Sequence, residues 1–319
     1  MFLAAFFSAL VYAGSAFSLI EPAGRPALAL DVNAPAPGPP GTSKWGPNHP
    51  RGVAVDASGN VYAADTNTDC IEKFSPDGRL LLKWGSRGKG NGQFNWPVGI
   101  AADESGNIYV ADANNNRIEK FNPEGKYVGQ WGQAGRGAGQ FDSPEGIVVD
   151  PSGDIYVADA DNNRVQKFSP DGKYLTEFGG AAVPPGQFGK THVHFRLAIG
   201  GGPWPWQFRS PQGVAVDSSG DVYVADTGFS RIAKFAPGGR YLGAIGVSSV
   251  DKKGRVVKPR NLAVDSAGNV YAAVYTFTFS CTRRFQSGVY RTRCTMRPHK
   301  NGRIEKFSPK GNCLGQWGF

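Results

Sequence analysis

A fifteen-residue phrase, NIYVADANNNRIEKF from Asn107 to Phe121, recurs along the chain. It returns as NVYAADTNTDCIEKF from Asn60, DIYVADADNNRVQKF from Asp154 and DVYVADTGFSRIAKF from Asp221. A fifth copy is split: it begins NVYAAV at Asn269 and resumes GRIEKF at Gly302. The aligned aspartates Asp56, Asp103, Asp150, Asp217 and Asp265 give steps of 47, 47, 67 and 48 residues. A near-fixed period of this size means stacked units of one design, none able to bury its apolar surface alone. No other property of the chain narrows the fold as much.

The second unit reads as four strands. Strand a is Val98 to Ala102, b is Asn107 to Ala111, c is Arg117 to Phe121 and d is Tyr127 to Trp131. The a–b turn is Asp103-Glu104-Ser105-Gly106 and the c–d turn is Asn122-Pro123-Glu124-Gly125. Proline presets φ early in the second turn, and glycine supplies the positive φ where each turn closes. The apolar residues alternate or run together, as in strands covered on both faces. With 44 glycines and 23 prolines, the chain reads as an all-β repeat protein, and a four-stranded unit of this length is a β-propeller blade.

The phrases P-x-G-V/I-A-V-D, G-N-I-Y-V-A-D and N-N-R-I-x-K-F resemble the NHL repeat, whereas the GH and WD dipeptides of WD-type blades are absent. The resemblance runs from about Ser43 to Phe319. It implies an all-β propeller of four-stranded NHL-type blades, commonly six; five repeats are readable, so five or six blades stay open. Trp45-Gly46 matches the strand-d endings Trp84-Gly85, Trp131-Gly132 and Trp317-Gly318, which suggests an N-terminal strand closing the ring against the last blade and removing two exposed edges.

Upstream of the repeats, Met1 to Ile20 carries no charge. Its apolar run and the small residues Gly14, Ser15 and Ala16 fit a signal peptide cut near Ala16, or a retained membrane anchor. Residues 21–42 are a Pro/Ala/Gly-rich tether, and residues 43–319 form the propeller. The expected location is secreted or extracytoplasmic. The net charge of +9 leans toward anionic partners. No run of basic residues or nucleic-acid motif supports a nucleic-acid partner, and export argues against RNA.

Two insertions break the period. One, residues 189–208, lies in a d–a link; the other, residues 275–301, lies in the b–c connection of the fifth blade. The second alternates about Gln286-Ser287-Gly288 and reads as a β-hairpin in which Cys281 and Cys294 face each other, a disulfide in an exported protein. Cys70 takes the Arg117 position of the first blade and Cys313 the Tyr127 position of the last; their pairing is left open. In an up-and-down blade the a–b and c–d turns share one face of the disc. The b–c loops and d–a links share the other, so both insertions fall on that second face. Long loops are where such folds carry function.

The residue after each blade's proline varies inside a constant frame: Arg51, Val98, Glu145, Gln212 and Arg260. These side chains, with Trp96, are candidate binding residues at the channel mouth. The recurring Asp65, Asp112, Asp159 and Asp226, with Arg117, Arg164, Arg231 and Arg303, are expected to be structural because their placement repeats. On the hairpin, Arg283, Arg284 and Arg293 alternate with aromatics such as Tyr275 and Phe279, a pattern suited to stacking on an anionic polymer. His192 and His194 share one face of a strand, and His299 lies in the other insertion, so a zinc site from these three is a candidate. Some relatives of the repeat are zinc-dependent amidating lyases, which the resemblance implies use histidines from several blades. Here the residues before the blade prolines are His49, Trp96, Ser143, Ser210 and Lys258, so that pattern is missing. The expectation is therefore a monomeric exported propeller that binds or scaffolds a protein or an anionic surface polymer and needs no cofactor, zinc or calcium being the candidates if one is required. The competing reading is a metal-dependent lyase or hydrolase with its site at the channel mouth.

Overall fold

A computed structural model describes residues 50–180, 206–246, 256–286, 289–298 and 302–318. Segments 1–20 and 21–42, Trp45-Gly46, His192, His194 and His299 lie outside these residues. Five antiparallel sheets follow one another along the chain. Blade one is β1 (Pro50–Val55), β2 (Val61–Asp65), β3 (Cys70–Phe74) and β4 (Leu80–Trp84). Blade two is β5 (Pro97–Ala102), β6 (Ile108–Asp112), β7 (Arg117–Phe121) and β8 (Tyr127–Trp131). Blade three is β9 (Pro144–Val149), β10 (Ile155–Asp159), β11 (Arg164–Phe168) and β12 (Tyr174–Gly179). Blade four is β13 (Pro211–Val216), β14 (Val222–Asp226), β15 (Arg231–Phe235) and β16 (Tyr241–Gly246). Blade five is β17 (Val256–Val264), β18 (Val270–Gln286), β20 (Arg303–Phe307) and β21 (Cys313–Gly318), with β19 (Val289–Pro298) paired to the far end of β18. The protein is a five-bladed all-β propeller with almost no helix.

Each a–b turn is held by its aspartate. Asp103 Oδ1 accepts the amide N–H groups of Ser105 and Asn107 at 2.9 and 2.8 Å, and its Oδ2 accepts the Tyr109 hydroxyl at 3.0 Å. Tyr109 is fully buried, so the same carboxylate satisfies a core hydroxyl that would otherwise be costly to bury.

Blades pack through alternate residues of strands a, b and c. Ile100, Ile108, Val110 and Phe121 of blade two meet Ala54, Tyr62, Ala64 and Ile71 of blade one, and the next two interfaces repeat this arrangement. Between blades a link phenylalanine plugs the core: Phe94, Phe141 and Phe208 are 0, 0 and 5% exposed and pack at a tilt against Phe121, Phe168 and Phe235. Phe208 thus takes the repeat's own plug position, and the Gln207 carbonyl accepts from Arg231 as Gln93 does from Arg117. Gln207 and Phe208 therefore belong to the repeat and not to the insertion expected over residues 189–208.

The inner strands come so close that one position tolerates no side chain. A Cβ on Gly52, Gly99, Gly146 or Gly213 would stand 2.1–2.7 Å from a backbone atom of the next blade's first strand. Blade five carries Asn261 at the equivalent place. Consistently, among the described residues no apolar cluster joins blade five to blade one. Tyr62, Tyr109, Tyr156 and Tyr223 are at most 1% exposed, but Tyr271 of blade five is half-buried and its stacking partner Trp317 is 51% exposed. The seam between the last and first blades is looser than the other four interfaces.

Candidate functional site

The b–c and d–a connections share one face, and two constructions organise it. The first fastens the links. Arg117, at the start of strand c, donates from Nε to Asp112 Oδ2 at 2.9 Å, and through Nη1 and Nη2 to the link carbonyls of Lys89, Gly90 and Gln93 at 2.8, 3.0 and 2.6 Å. Asp112 Oδ1 in turn accepts the Asn95 amide at 2.7 Å. Arg164 and Asp159 repeat the pattern, and Arg231 pairs with Asp226 at 2.7 Å. Burial pushes the carboxyl groups of Asp112, Asp159 and Asp226 up, while the arginine and the link amide pull them back. These pairs join a blade to the link before it, which is a structural task. Arg303 departs from the expected aspartate partnership: Val274 stands where the aspartate would be, and Arg303 pairs with Glu305.

Blade one shows what replaces the arginine. Asp65, Cys70 and Glu72 are buried, with one donor atom each lying mutually within 4.8 Å, the sole such cluster among the described residues. Lys83 Nζ reaches Glu72 at 2.8 Å and supplies the missing cation, and Thr68 Oγ1 lies 3.0 Å from Cys70 Sγ. Cys70 is buried, Cys313 is exposed, and both are free thiols, so they are not bonded to each other. The sequence signal for this cluster was the cysteine in an arginine position.

The second construction is the channel mouth. Arg51, Val98, Glu145, Gln212 and Arg260, one from each blade's first strand, line a single depression with Gly146 and Asn261. It has room for about one water molecule. The Arg51 guanidinium lies over the Trp96 ring at 4.9 Å from its centre, and Arg260 lies over Tyr275 at 5.5 Å. Trp96 holds a left-handed backbone at φ 65, fixed by the hydrogen bond its backbone N–H donates to Asp69 Oδ1 at 2.7 Å. Gln212 Nε2 donates to Glu145 Oε1 at 3.3 Å. Burial pushes the Glu145 carboxyl up and Arg260 and Arg51 pull it down; burial and the neighbouring Arg260 lower Arg51. The five variable positions after the blade prolines thus meet in one place. Tyr275, read earlier as a hairpin residue, belongs to this mouth.

The hairpin rises from the same face. β17 pairs with β18 from Val256↔Phe277 inward, so the inner strand of blade five continues into the hairpin base. β18 and β19 pair without a bulge from Phe277↔Pro298 to Gln286↔Val289. Cys281 stands directly opposite Cys294. Counting from the closing pair, theirs is a non-hydrogen-bonded pair, where strand backbones approach closest. Alternation places Phe277, Phe279, Cys281, Arg283 and Phe285 on one face of the ribbon with Tyr290, Cys294 and Met296. Arg284, Arg291, Arg293 and Arg297 share the opposite face. No Asp or Glu occurs between Asp265 and Glu305. His192, His194 and His299 lie outside the described residues.

A family profile described as NHL repeat matches residues 48–74, 94–121, 141–168 and 208–235. The unmatched fifth blade is the one in which Asn261 and Val274 replace the repeat's glycine and aspartate. No curated protein matches the chain. Among solved structures, streptogramin B lyase is 12% identical with a TM-score of 0.50, covering 84% of this chain and 82% of its own. A nidogen/laminin complex is 20% identical with a TM-score of 0.51, covering 70% and 74%. A protein of unknown function from Bacteroides caccae is 13% identical with a TM-score of 0.55, covering 85% and 82%. At these identities the likeness is one of fold, shared by a lyase and by a nidogen/laminin complex alike. Four matched NHL repeats on four successive blades, with a fifth blade of the same build, make this chain an NHL-repeat β-propeller.

Proposed function

We propose that this propeller is an exported binding or scaffolding module that engages an acidic protein or an anionic surface polymer through its b–c/d–a face. The observation that carries the reading is the charge of that face. Arg51 and Arg260 stand at the mouth against one carboxylate, and the adjoining hairpin carries five arginines and no acid. A basic surface of this kind steers and holds a polyanion, with an affinity that falls as salt screens it. The depression itself encloses about one water, far below the several hundred cubic ångströms of a small-molecule site, so a partner would lie across the face rather than sink into it. In this reading Cys281 and Cys294 are bonded in the exported protein and hold the ribbon rigid. Intact mass with and without reductant tests that: a bonded pair weighs two hydrogens less.

The functional test is binding of polygalacturonate and poly-L-glutamate at several salt concentrations. Arg283→Gln, Arg284→Gln and Arg293→Gln together should weaken binding by at least about tenfold and flatten the salt dependence. Unchanged binding by the triple variant would remove the hairpin from the interface. The lyase reading has the streptogramin B lyase fold in its favour, and turnover of a lactone or amide substrate by the purified protein would establish it.

A further inference from the structure

The two mouth arginines are unusual among the buried or half-buried arginines of this protein. Arg117, Arg164 and Arg231 each spend their donors on carboxylates and link carbonyls. Among the described residues, Arg51 and Arg260 have no hydrogen-bond acceptor and no carboxylate at ion-pair distance; each guanidinium lies over an aromatic ring, 4.9 and 5.5 Å from its centre. A ring face attracts a guanidinium without accepting its N–H groups, so the donors stay unspent. A fork half removed from water and without acceptors is a costly arrangement that an oxyanion would relieve.

We propose that the channel mouth is an oxyanion subsite that takes one carboxylate, carried by a larger partner, between the forks of Arg51 and Arg260. This deepens the binding reading of the face and rests on it for the rest of the partner. Charge selects the class. Two guanidiniums and the Glu145 carboxyl line the mouth; with Glu145 ionised they leave one positive charge, which a carboxylate balances and a phosphate monoester exceeds. Shape agrees: room for about one water admits the end of a group, not a ring. Glu145 is the discriminating residue. Its carboxylate repels the incoming one, and its hydrogen bond from Gln212 keeps it at the floor.

The test is a titration of the arginine Nε–H resonances with sodium galacturonate, a small monocarboxylate, and with methyl galactoside as the uncharged control. Expected are saturable shifts of two resonances, absent with the control, one lost in Arg51→Gln and one in Arg260→Gln. Glu145→Gln should tighten the response severalfold, an opposite sign that a damaged fold would not produce. Resonances that stay still, or move equally with the control, overturn the proposal, as does weaker binding in Glu145→Gln. Polygalacturonate and poly-L-glutamate then separate a glycan source of the carboxylate from a protein one. Galacturonate titrating the mouth while neither polymer binds would sink the face reading and leave the subsite standing. Polymer binding with motionless Arg51 and Arg260 signals would do the reverse.

Discussion

Replacing Arg164 by methionine tests the fastening of the links. The side chain is 6% exposed and donates from Nε to Asp159 at 2.7 Å, from Nη1 to the Arg136 carbonyl and Glu177 at 2.9 and 2.7 Å, and from Nη2 to the carbonyls of Gly137 and Gln140 at 2.8 and 2.7 Å. Methionine keeps the apolar stem but leaves Asp159, fully buried, without its cation. Removing one partner of a buried pair costs about 3–5 kcal/mol, because the remaining charge stays desolvated. For a domain of this size that is a fall of about 10 °C in the unfolding midpoint. The loss should be local as well: amide exchange in the link, at Gly139 and Asp142, should quicken more than exchange in β5–β8. The double variant Arg164→Met/Asp159→Asn should recover part of the loss, since the stranded charge is then gone while the link carbonyls still lack a donor. A midpoint lowered by less than about 2 °C, or a double variant no better than the single, would refute the reasoning.

The inter-blade glycines predict an asymmetry. Gly99→Ala places a Cβ 2.1 Å from the Glu145 carbonyl and should destabilise by more than about 3 kcal/mol, whereas Asn261→Gly should change stability by about 1 kcal/mol or less; equal effects in chemical denaturation would contradict the looser seam. Glu119 predicts a pH effect. It is fully buried, and burial pushes its carboxyl up to about 7; Arg117 Nη2 stands 2.7 Å away but is too poorly aligned to hydrogen-bond its Oε1. Blade three has Gln166 in its place, with Nε2 donating to the Gln140 carbonyl at 2.7 Å. A carboxyl whose pKa is raised on folding contributes stability that is full below its unfolded value and is lost as pH rises through about 7. Glu119→Gln should therefore be more stable than the parent at pH 8 and lose that advantage by pH 5, by up to about 3 kcal/mol; a pH-independent difference in midpoint would show that Glu119 titrates normally.

Much of the molecule was legible in its period. The strands, the two turn types and the structural Asp–Arg pairs of blades two to four repeat, and their contacts lie within one blade or between neighbours. Asp103 bonds residues two, four and six positions along the chain, which is why a fifteen-residue phrase suffices to specify the turn and its buried tyrosine. The hairpin was legible for the same reason, since alternation and a Ser-Gly loop set its register locally.

What the repeat could not decide is what happens where its copies differ. Two Gln-Phe pairs precede blade four, and only packing against Phe178 and Phe235 selects Phe208 as the plug. Asn261 became informative only when the other blades' glycines were found against a neighbouring backbone. The mouth assembles one residue from each of five blades, so its geometry depends on how the ring sets blade one against blade five. Sequence named the variable positions, but which guanidiniums find acceptors and which lie over aromatic rings is a property of how the inner strands meet. Local hydrogen bonds and period determine the blade; contacts between distant copies determine the site.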